Sequence, residues 1–478
     1  MREDRAILQK IRENSCAVLG VGVSNLPLID VLLGLGAKVT AYDEKSAEAL
    51  GDTAEILIKK GIELVTGEGA FDKVTEKVIF RSPGIRPDKG ALPEAVRCGA
   101  FVTGEMEFFF ESSKAKKYVI TGSDGKTTTT TITHLFLSAQ KEKEGACAYV
   151  GGNIGNPLLP CADKMSENDA AVLELSSFQL MGDWCDPYAA AITNITPNHL
   201  NWHTDMAEYI EAKLGAVGKS TKRVVLNADN EICASLYFGE DKEHIYFSSA
   251  KTGYSDIVPS ERKNARVIFI RDSKIVVSDG KQEKELLSVA DIKLPGKHNL
   301  ENYMTAMALT LDEVDSDIYT DVAKSFGGVE HRLEFVCEID GVKYYNSSID
   351  SSPTRTAAAL SALNVKPVVI CGGSEKGLSF APLADALINR AHAVVLNGDS
   401  RKNIKAALEL KFKESGKSIE VYEEKTLGEA IDKAREIARQ GDTVLLSPAS
   451  ASFDQFKNFA VRGEYFKSRV LSWKKDEN

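Results

Sequence analysis

Short apolar runs broken by glycine or small polar residues recur along the chain, alternating with stretches whose apolar residues fall three or four apart. The first pattern predicts buried strands and the second predicts helices, so together they predict an α/β fold of wound sheets. Near the start, Cys16 to Gly20 (CAVLG) runs into Gly20-Val21-Gly22-Val23-Ser24. Helical spacing follows over Leu28 to Leu35, and Lys38 to Tyr42 reads as another strand, ending at Asp43. This β-loop-α-β unit, with further strands at Val78 to Phe80 and Phe101-Val102, predicts a Rossmann-like domain over residues 1–104.

A second α/β segment begins at the strand Tyr118 to Thr121 and continues through Ala171 to Leu175, Ala190 to Ile195 and Val224 to Leu226. Val267 to Ile270 and Lys274 to Val277 flank Arg271-Asp272-Ser273 and predict a hairpin. A helix follows Gly296-Lys297-His298-Asn299, and Gly327-Gly328 reads as a hinge. Beyond it, Val342 to Tyr345, Val368 to Cys371, Val394 to Leu396 and Val444 to Leu446 alternate with helical stretches. The expected organisation is therefore a central P-loop ATPase-like α/β domain over 105–328 and a C-terminal Rossmann-like domain over 329–478. A chain of 478 residues suits three such cores better than one.

Composition narrows this only a little. With 43% hydrophobic and 27% charged residues the chain reads as an ordinary soluble protein. Its first residues, MREDRAILQKIRENSC, are too charged for a signal peptide, and no apolar run approaches the ~20 residues of a membrane span, so a cytoplasmic location is expected. The eight cysteines, at 16, 98, 147, 161, 185, 233, 337 and 371, form no C-x-x-C pair and are expected to be buried, reduced thiols. A net charge of −10 argues against a nucleic-acid surface. It leaves room for a small anion held by local lysines and helix N-termini.

The strand ending at Thr121 runs into Gly122-Ser123-Asp124-Gly125-Lys126-Thr127-Thr128, followed by a helix with Ile132, Leu135, Phe136 and Ala139 on one face. Glycines let backbone N–H groups curl toward a phosphate, and the helix N-terminus adds positive potential. Lys126 supplies charge for the β/γ-phosphates and the Thr127 hydroxyl is suited to Mg²⁺. The spacing departs from the standard Walker pattern, which needs glycine where Ile120 stands. A nucleotide phosphate is implied, but no reaction.

Glu174 lies among apolar neighbours in a strand, where a carboxylate must be paired or metal-bound because an isolated buried charge is expensive. His199, in Thr196-Pro197-Asn198-His199, falls at the end of another strand, where open α/β sheets place their ligands. Lys213 shares a helical face with Tyr209 and Val217. On its own such a lysine is expected to snorkel to solvent.

Taken jointly, these residues resemble the Mur ligase family. Gly122 to Thr128 is similar to the phosphate loop shared by Mur ligases and folylpolyglutamate synthases. Gly151-Gly152-Asn153-Ile154-Gly155, Leu173 to Leu180 and Leu294-Pro295-Gly296-Lys297-His298-Asn299 with Asn302 look like the central domain of the D-glutamate-adding branch. The run Leu446 to Phe456 with Asn458-Phe459 and Arg462-Gly463 is similar to that branch's C-terminal signature. The resemblance spans almost the whole chain. It implies a ligase of peptidoglycan precursor synthesis, which joins D-glutamate to UDP-N-acetylmuramoyl-L-alanine through an acyl phosphate at the expense of ATP, with Mg²⁺. A monomer is expected, although no motif sets the oligomeric state.

Carried onto this sequence, the resemblance implies that Gly22, Val23 and Ser24, then Asp43, then Ser82, Pro83 and Gly84 contact the nucleotide-sugar. It implies that Asn153, Ser176 and His199 lie near the reacting carboxylate. Thr127, Glu174, His199 and a carbamylated Lys213 are the implied metal ligands, with Lys126, Glu174, His199 and Lys213 the catalytic set. The phosphate-loop residues Gly122, Ser123, Asp124, Gly125, Lys126, Thr127 and Thr128, with Asn299, Asn302 and Arg332, are the implied ATP contacts. Ser351, Lys376, Ser452 and Phe459 are the implied D-glutamate contacts.

Four positions depart from the pattern. Asn25 replaces a third glycine, weakening any dinucleotide reading; Asp124 stands where asparagine is usual; Asn201 replaces a carboxylate after the histidine; and Asn346-Ser347-Ser348-Ile349 replaces Asn-Asp-Ser-Lys. The rival readings are a sibling ligase or folylpolyglutamate synthase, a mechanical or regulatory P-loop NTPase, and a dinucleotide-dependent oxidoreductase built on Gly20 to Ser24.

Overall fold

The computed structural model describes residues 6–22, 25–182, 184–200, 202–258, 262, 265–294, 296–363, 365–374 and 379–474. The chain divides into two compact units, one of Met1–Ile292 with Lys297–Lys324 and one of Lys293–Gly296 with Ser325–Asn478.

The first unit holds two sheets. Strands β1 (Cys16–Leu19), β2 (Val39–Asp43), β3 (Glu63–Thr66), β4 (Val78–Arg81) and β5 (Phe101–Thr103) form a parallel sheet in the order β3-β2-β1-β4-β5. The order reverses beside β1, which is where a doubly wound sheet opens a crevice for ligand. Asn25 opens the following helix, Asn25–Gly34, and its buried amide donates to Leu19 O (3.1 Å) and Gly20 O (2.8 Å). The side chain that breaks the glycine pattern thus ties down the end of β1.

The second sheet is larger. It contains β6 (Lys116–Thr121), β7 (Ala148–Gly152), β8 (Ala170–Glu174), β9 (Ala189–Ile192), β10 (Arg223–Asn227), β11 (Glu243–Ser248), β12 (Arg266–Arg271), β13 (Lys274–Ser278) and β14 (Glu283–Ser288). Their order is β14-β13-β12-β11-β10-β9-β6-β8-β7, parallel from β7 to β12 and antiparallel at the far edge. The expected hairpin is β12–β13, extended by β14. Strands β6, β8 and β9 are adjacent and parallel, so the residues after their C-terminal ends converge. One apolar cluster runs from Cys16 and Val18 through Phe108 and Phe109 to Val119 and Leu173, which makes the two sheets one unit.

The second unit contains β15 (Glu334–Ile339), β16 (Val342–Asn346), β17 (Val368–Gly372), β18 (Ala393–Asn397), β19 (Glu420–Glu423) and β20 (Thr443–Leu446), in the order β15-β16-β20-β17-β18-β19. Among the described strands of this sheet, β15 and β16 pair antiparallel and the rest pair parallel. Helices pack on the sheet, and apolar clusters on both sides, one including Val444 and Phe466 and the other Leu445 and Leu383, give a doubly wound α/β unit.

Three local expectations change. β9 stops at Ile192 instead of Ile195, because Thr193 turns its hydroxyl onto Thr121 O (3.2 Å) and Asp124 O (2.6 Å). The helix bearing Lys213 is Met206–Leu214, so Val217 lies beyond it and does not share its face. Cys16, Cys185, Cys233, Cys337 and Cys371 are buried free thiols as expected, but Cys98 and Cys147 are exposed and Cys161 is half-buried.

Candidate active site

The loop 122–125 joins β6 to the long helix Lys126–Lys143. Gly122 has φ +144° and Gly125 φ +80°. A Cβ on Gly122 would lie 1.9 Å from Thr193 Oγ1, and one on Gly125 2.5 Å from Asn302 Oδ1. Glycine is thus required by both torsion and space. The curled loop is pinned from two sides: Asp124 N donates to Asn194 Oδ1 (2.8 Å), and Ser123 Oγ pairs with Tyr209 OH (2.9 Å). Lys126 Nζ donates to Gly122 O and Ser123 O, both at 2.9 Å, while Thr127 and Thr128 occupy the helix's first turn. Asn302 Oδ1 accepts from Thr129 Oγ1 (3.1 Å) and Asn302 Nδ2 donates to Asn299 Oδ1 (3.2 Å). Asn302 of the helix Lys297–Thr310 therefore reaches the helix that the phosphate loop opens, across 173 residues of sequence, with Asn299 bonded behind it.

Glu174 closes β8 and is 2% exposed. Its Oε1 accepts from Asn153 Nδ2 (2.9 Å), and Asn153 N donates to Glu174 O (2.7 Å). A Cβ on the preceding Gly152 would lie 2.2 Å from that carbonyl, so this close approach also needs glycine. Glu174 Oε2 is buried with no hydrogen-bond partner among the described residues. An oxygen left so is costly unless a cation meets it.

Lys213 does not snorkel: it is 1% exposed, donates from Nζ to Gly122 O (2.7 Å) and lies 4.6 Å from the Tyr209 ring centre. Burial, reinforced by the Lys126 charge, pushes its pKa down to about 7. His199 stands at φ +55°, its ring edge-on to Phe178 at 5.0 Å. Desolvation, then Lys126, Lys213 and His203, lower its pKa, favouring the neutral ring that can ligate a metal. Ser176 N and Oγ both donate to Gln179 Oε1 at 3.0 Å, which fixes the turn after Glu174. The orphaned carboxylate oxygen beside a phosphate loop suits a hard cation such as Mg²⁺, which takes oxygen ligands, and the lowered pKa values of His199 and Lys213 reduce the positive charge set against it.

Beside this site is a group that sequence reasoning missed. His203 is buried, with Nδ1 3.1 Å from Glu208 Oε2 and Nε2 2.9 Å from Ser177 Oγ. Arg86 pairs with Glu208 and drives that carboxyl down to about 2. Trp202 Nε1 donates to Gly84 O (3.2 Å). Asp205, which caps the helix Met206–Leu214 by accepting from Glu208 N, was the available local signal.

In the first sheet, the ends of β1, β2 and β4 come together. Val21 N and Lys45 N donate to Asp43 Oδ2 (3.0 Å) and Oδ1 (2.9 Å), and Ser82 N donates to Leu19 O (2.9 Å). Gly20 (φ +81°) packs so that a Cβ would lie 3.0 Å from Ser82 Cβ. Gly22, Asp43 and Ser82-Pro83-Gly84 thus line the sheet's C-terminal edge; Val23 and Ser24 lie outside the described residues, as does Asn201.

In the second unit, Arg332 follows His331, whose φ is +62° and whose Nδ1 is 2.9 Å from Asn346 Nδ2. Ser347 is buried: its N donates to Leu446 O (2.7 Å) and its Oγ accepts from Leu333 N (3.1 Å). Asp350, unmarked by the sequence reading, is 7% exposed and accepts from Ser447 Oγ (2.8 Å), its pKa raised by burial. Arg462, also buried, donates to Ser348 Oγ (3.0 Å), Ser348 O (2.9 Å) and Ser450 O (3.0 Å), and burial brings it down to about 10. Ser351 N donates to Ile349 O (2.8 Å); Ser452 is buried and its carbonyl accepts from Phe456 N (2.8 Å). Phe459 is 40% exposed, with its ring centre 6.0 Å from that of His331. Lys376 lies outside the described residues.

Comparison with known proteins adds three findings. The Mur ligase middle domain matches residues 120–310, and the Mur ligase, glutamate ligase domain matches residues 331–450. The chain is 44% identical to the UDP-N-acetylmuramoylalanine–D-glutamate ligase of Clostridium novyi, covering 96% of this chain and 97% of that one. It is 43% identical to the same-named protein of Clostridium perfringens, with 96% and 97% covered. Among solved structures, UDP-N-acetylmuramate-alanine ligase from Thermotoga maritima matches with TM-score 0.55 at 18% identity, over 97% of this chain and 100% of that one, which shows a shared fold. Among the described residues no helix is long and apolar enough to cross a membrane.

Proposed function

Because the chain belongs to the Mur ligase family, we propose that it is the member that joins D-glutamate to UDP-N-acetylmuramoyl-L-alanine, with ATP converted to ADP and phosphate in peptidoglycan precursor synthesis. The observation that carries this reading is near-full-length identity of 41–44% with D-glutamate ligases. Sibling ligases share the fold at 18% identity or less, which does not extend to their substrates.

A carboxylate is a poor acyl donor because its oxide is a poor leaving group. Phosphorylation by ATP gives an acyl phosphate, and attack by the D-glutamate amine then forms the amide and releases phosphate. The first step brings two anions together, so positive charge must meet them. Lys126 and the N-terminus of its helix supply such charge at the phosphate loop. Asn299, Asn302 and Arg332 are the further ATP contacts, and Ser123, Asp124, Thr127 and Thr128 complete the loop. Mg²⁺, when bound, supplies a Lewis-acid charge at the transferring phosphoryl group. Thr127, Glu174, His199 and Lys213 would hold it, Lys213 as its carbamate, since a largely neutral buried amine is the form that captures CO₂. Asn153 fixes Glu174, and with Ser176 and His199 it would face the substrate carboxylate. Gly22, Val23, Ser24, Asp43, Ser82, Pro83 and Gly84 take the nucleotide-sugar end, and Ser351, Lys376, Ser452 and Phe459 the D-glutamate.

The three-domain division at 104 and 328 remains part of this proposal, as do a monomeric state and a cytoplasmic setting, where ATP is at hand. Phosphate release is the test, measured with ATP, Mg²⁺ and UDP-N-acetylmuramoyl-L-alanine against a panel of amino acids that includes both glutamate enantiomers. D-Glutamate should be required and L-glutamate poor. Faster turnover with L-lysine, diaminopimelate or L-alanine overturns the assignment.

A further inference from the structure

His199 owes its place to residues distant in sequence. It sits in the left-handed region at φ +55°, a strained conformation that persists only where its surroundings enforce it. Its carbonyl accepts from Trp202 N and His203 N, both at 3.0 Å, so the turn holds only if those two residues are held. Trp202 is fastened to the loop after β4: its Nε1 donates to Gly84 O (3.2 Å), and its carbonyl accepts from Arg86 Nη1 (2.5 Å). The Arg86 guanidinium also lies over the Trp202 ring, 5.0 Å from its centre.

Arg86 then takes Glu208 with both prongs, Nη2 to Oε1 at 3.1 Å and Nη1 to Oε2 at 3.2 Å. Glu208 Oε2 in turn accepts from Thr204 N (2.8 Å) and faces His203 Nδ1 (3.1 Å). His203 Nε2 reaches Ser177 Oγ at 2.9 Å, and its ring stacks on Phe178 at 5.6 Å, the same ring that His199 meets edge-on. The chain of contacts therefore runs from the loop bearing Ser82-Pro83-Gly84 to both sides of the carboxylate site, the turn of His199 and the turn after Glu174. Arg86 is not needed to hold the two sheets together, because the apolar cluster through Phe108, Phe109 and Val119 already does so.

We propose that Arg86 is a positioning residue for the ligation, fixing the His199 turn through Trp202 and the Glu208–His203 pair. A nucleotide-sugar held on the loops after β1, β2 and β4 then meets a carboxylate site already registered to its far end. The proposal rests on the reading of this chain as a ligase of a nucleotide-sugar acid. A planar, two-pronged guanidinium suits the role, because the single nitrogen of a lysine cannot occupy the separate positions from which Nη1 meets Trp202 O and Glu208 Oε2 while Nη2 meets Glu208 Oε1.

The test compares Arg86→Ala, Arg86→Lys, Glu208→Gln and the Arg86→Ala/Glu208→Gln double variant with the wild type. A misplacement of about 1 Å costs on the order of 10²-fold in rate. We therefore expect Arg86→Ala to lower kcat by about 10- to 100-fold, with KM for ATP and D-glutamate within about twofold. Arg86→Lys should recover little, and the double variant should be no worse than Arg86→Ala, because both act through one linkage. A second readout is independent of turnover: the imidazole ¹H–¹³C NMR peaks of His199 and His203, assigned with His199→Gln and His203→Gln, should shift or double in Arg86→Ala. Unmoved peaks would overturn the proposal, as would a kcat unchanged alongside a lowered melting temperature, which is the mark of a purely structural tie. A wild type that releases no phosphate with the expected substrates would instead refute the assigned reaction, and the NMR peaks would still decide where Arg86 acts.

Discussion

Replacing Lys213 with methionine tests the electrostatics of the site without any assumption about substrate. The Lys213 amine has its pKa lowered from 10.5 to about 7, and it is 1% exposed. A difference of about 3.5 pH units, at about 1.36 kcal/mol each, makes the ammonium there costlier by about 5 kcal/mol than in the unfolded chain. Between pH 7 and 10.5 the unfolded lysine keeps its proton while the folded one sheds it, so the unfolded state binds more protons and stability rises with pH. Lys213→Met removes this dependence. The lost hydrogen bond to Gly122 O is common to every pH and cancels in the comparison. The variant's stability relative to wild type should therefore be greater at pH 7 than at pH 9, by about 2 kcal/mol. Urea unfolding in CO₂-depleted buffer measures it, because carbamylation of the wild type would supply an anion and blunt the effect. A relative stability equal at the two pH values, or one that favours the variant more at pH 9, refutes the reasoning.

Lys126→Ala should reduce turnover by about 10³-fold or more, through loss of a principal transition-state charge; near-native phosphate release would mean the nucleotide site is misplaced. Gly122→Ala should abolish ATP binding in an equilibrium assay, because its Cβ would fall 1.9 Å from Thr193 Oγ1; retained affinity contradicts the cradle. Glu105 is buried, and burial raises its pKa from 4.5 to about 7, so the folded state holds the extra proton and stability falls as pH rises through that window. Glu105→Gln should accordingly stabilise the protein more at pH 8 than at pH 5, by up to about 3 kcal/mol in urea unfolding, and a pH-independent difference would refute it.

Strands buried on both faces were legible because they are continuous apolar runs, as in β1, β8, β10 and β18. The half-exposed β3 and β19 were not, since glutamates interrupt any apolar run or clean alternation. The phosphate loop was legible because its order of strand, glycines, lysine and helix is local. Glu174 declared itself as a charge inside an apolar run, but its orphaned oxygen is a property of packing alone. Helical spacing alone put Lys213 beside Val217 on a solvent-facing reading, and only the family resemblance turned it inward; the helix in fact ends at Leu214 and the amine donates to Gly122 O. Arg86 with Glu208 carries no local signal because 122 residues separate the partners. Asp350 stands three residues beyond the serine that replaces a familiar aspartate, and only the fold reveals it buried against Ser447.

The most direct test of the central claim follows oxygen from the substrate into phosphate. UDP-N-acetylmuramoyl-L-alanine labelled with ¹⁸O in both oxygens of its alanyl carboxylate is turned over with ATP, Mg²⁺ and D-glutamate, and the released phosphate is analysed by mass spectrometry. Activation as an acyl phosphate predicts one labelled oxygen in each phosphate released, formed in step with the amide and only when D-glutamate is present. Unlabelled phosphate, or labelled phosphate produced as readily with another amino acid, contradicts it.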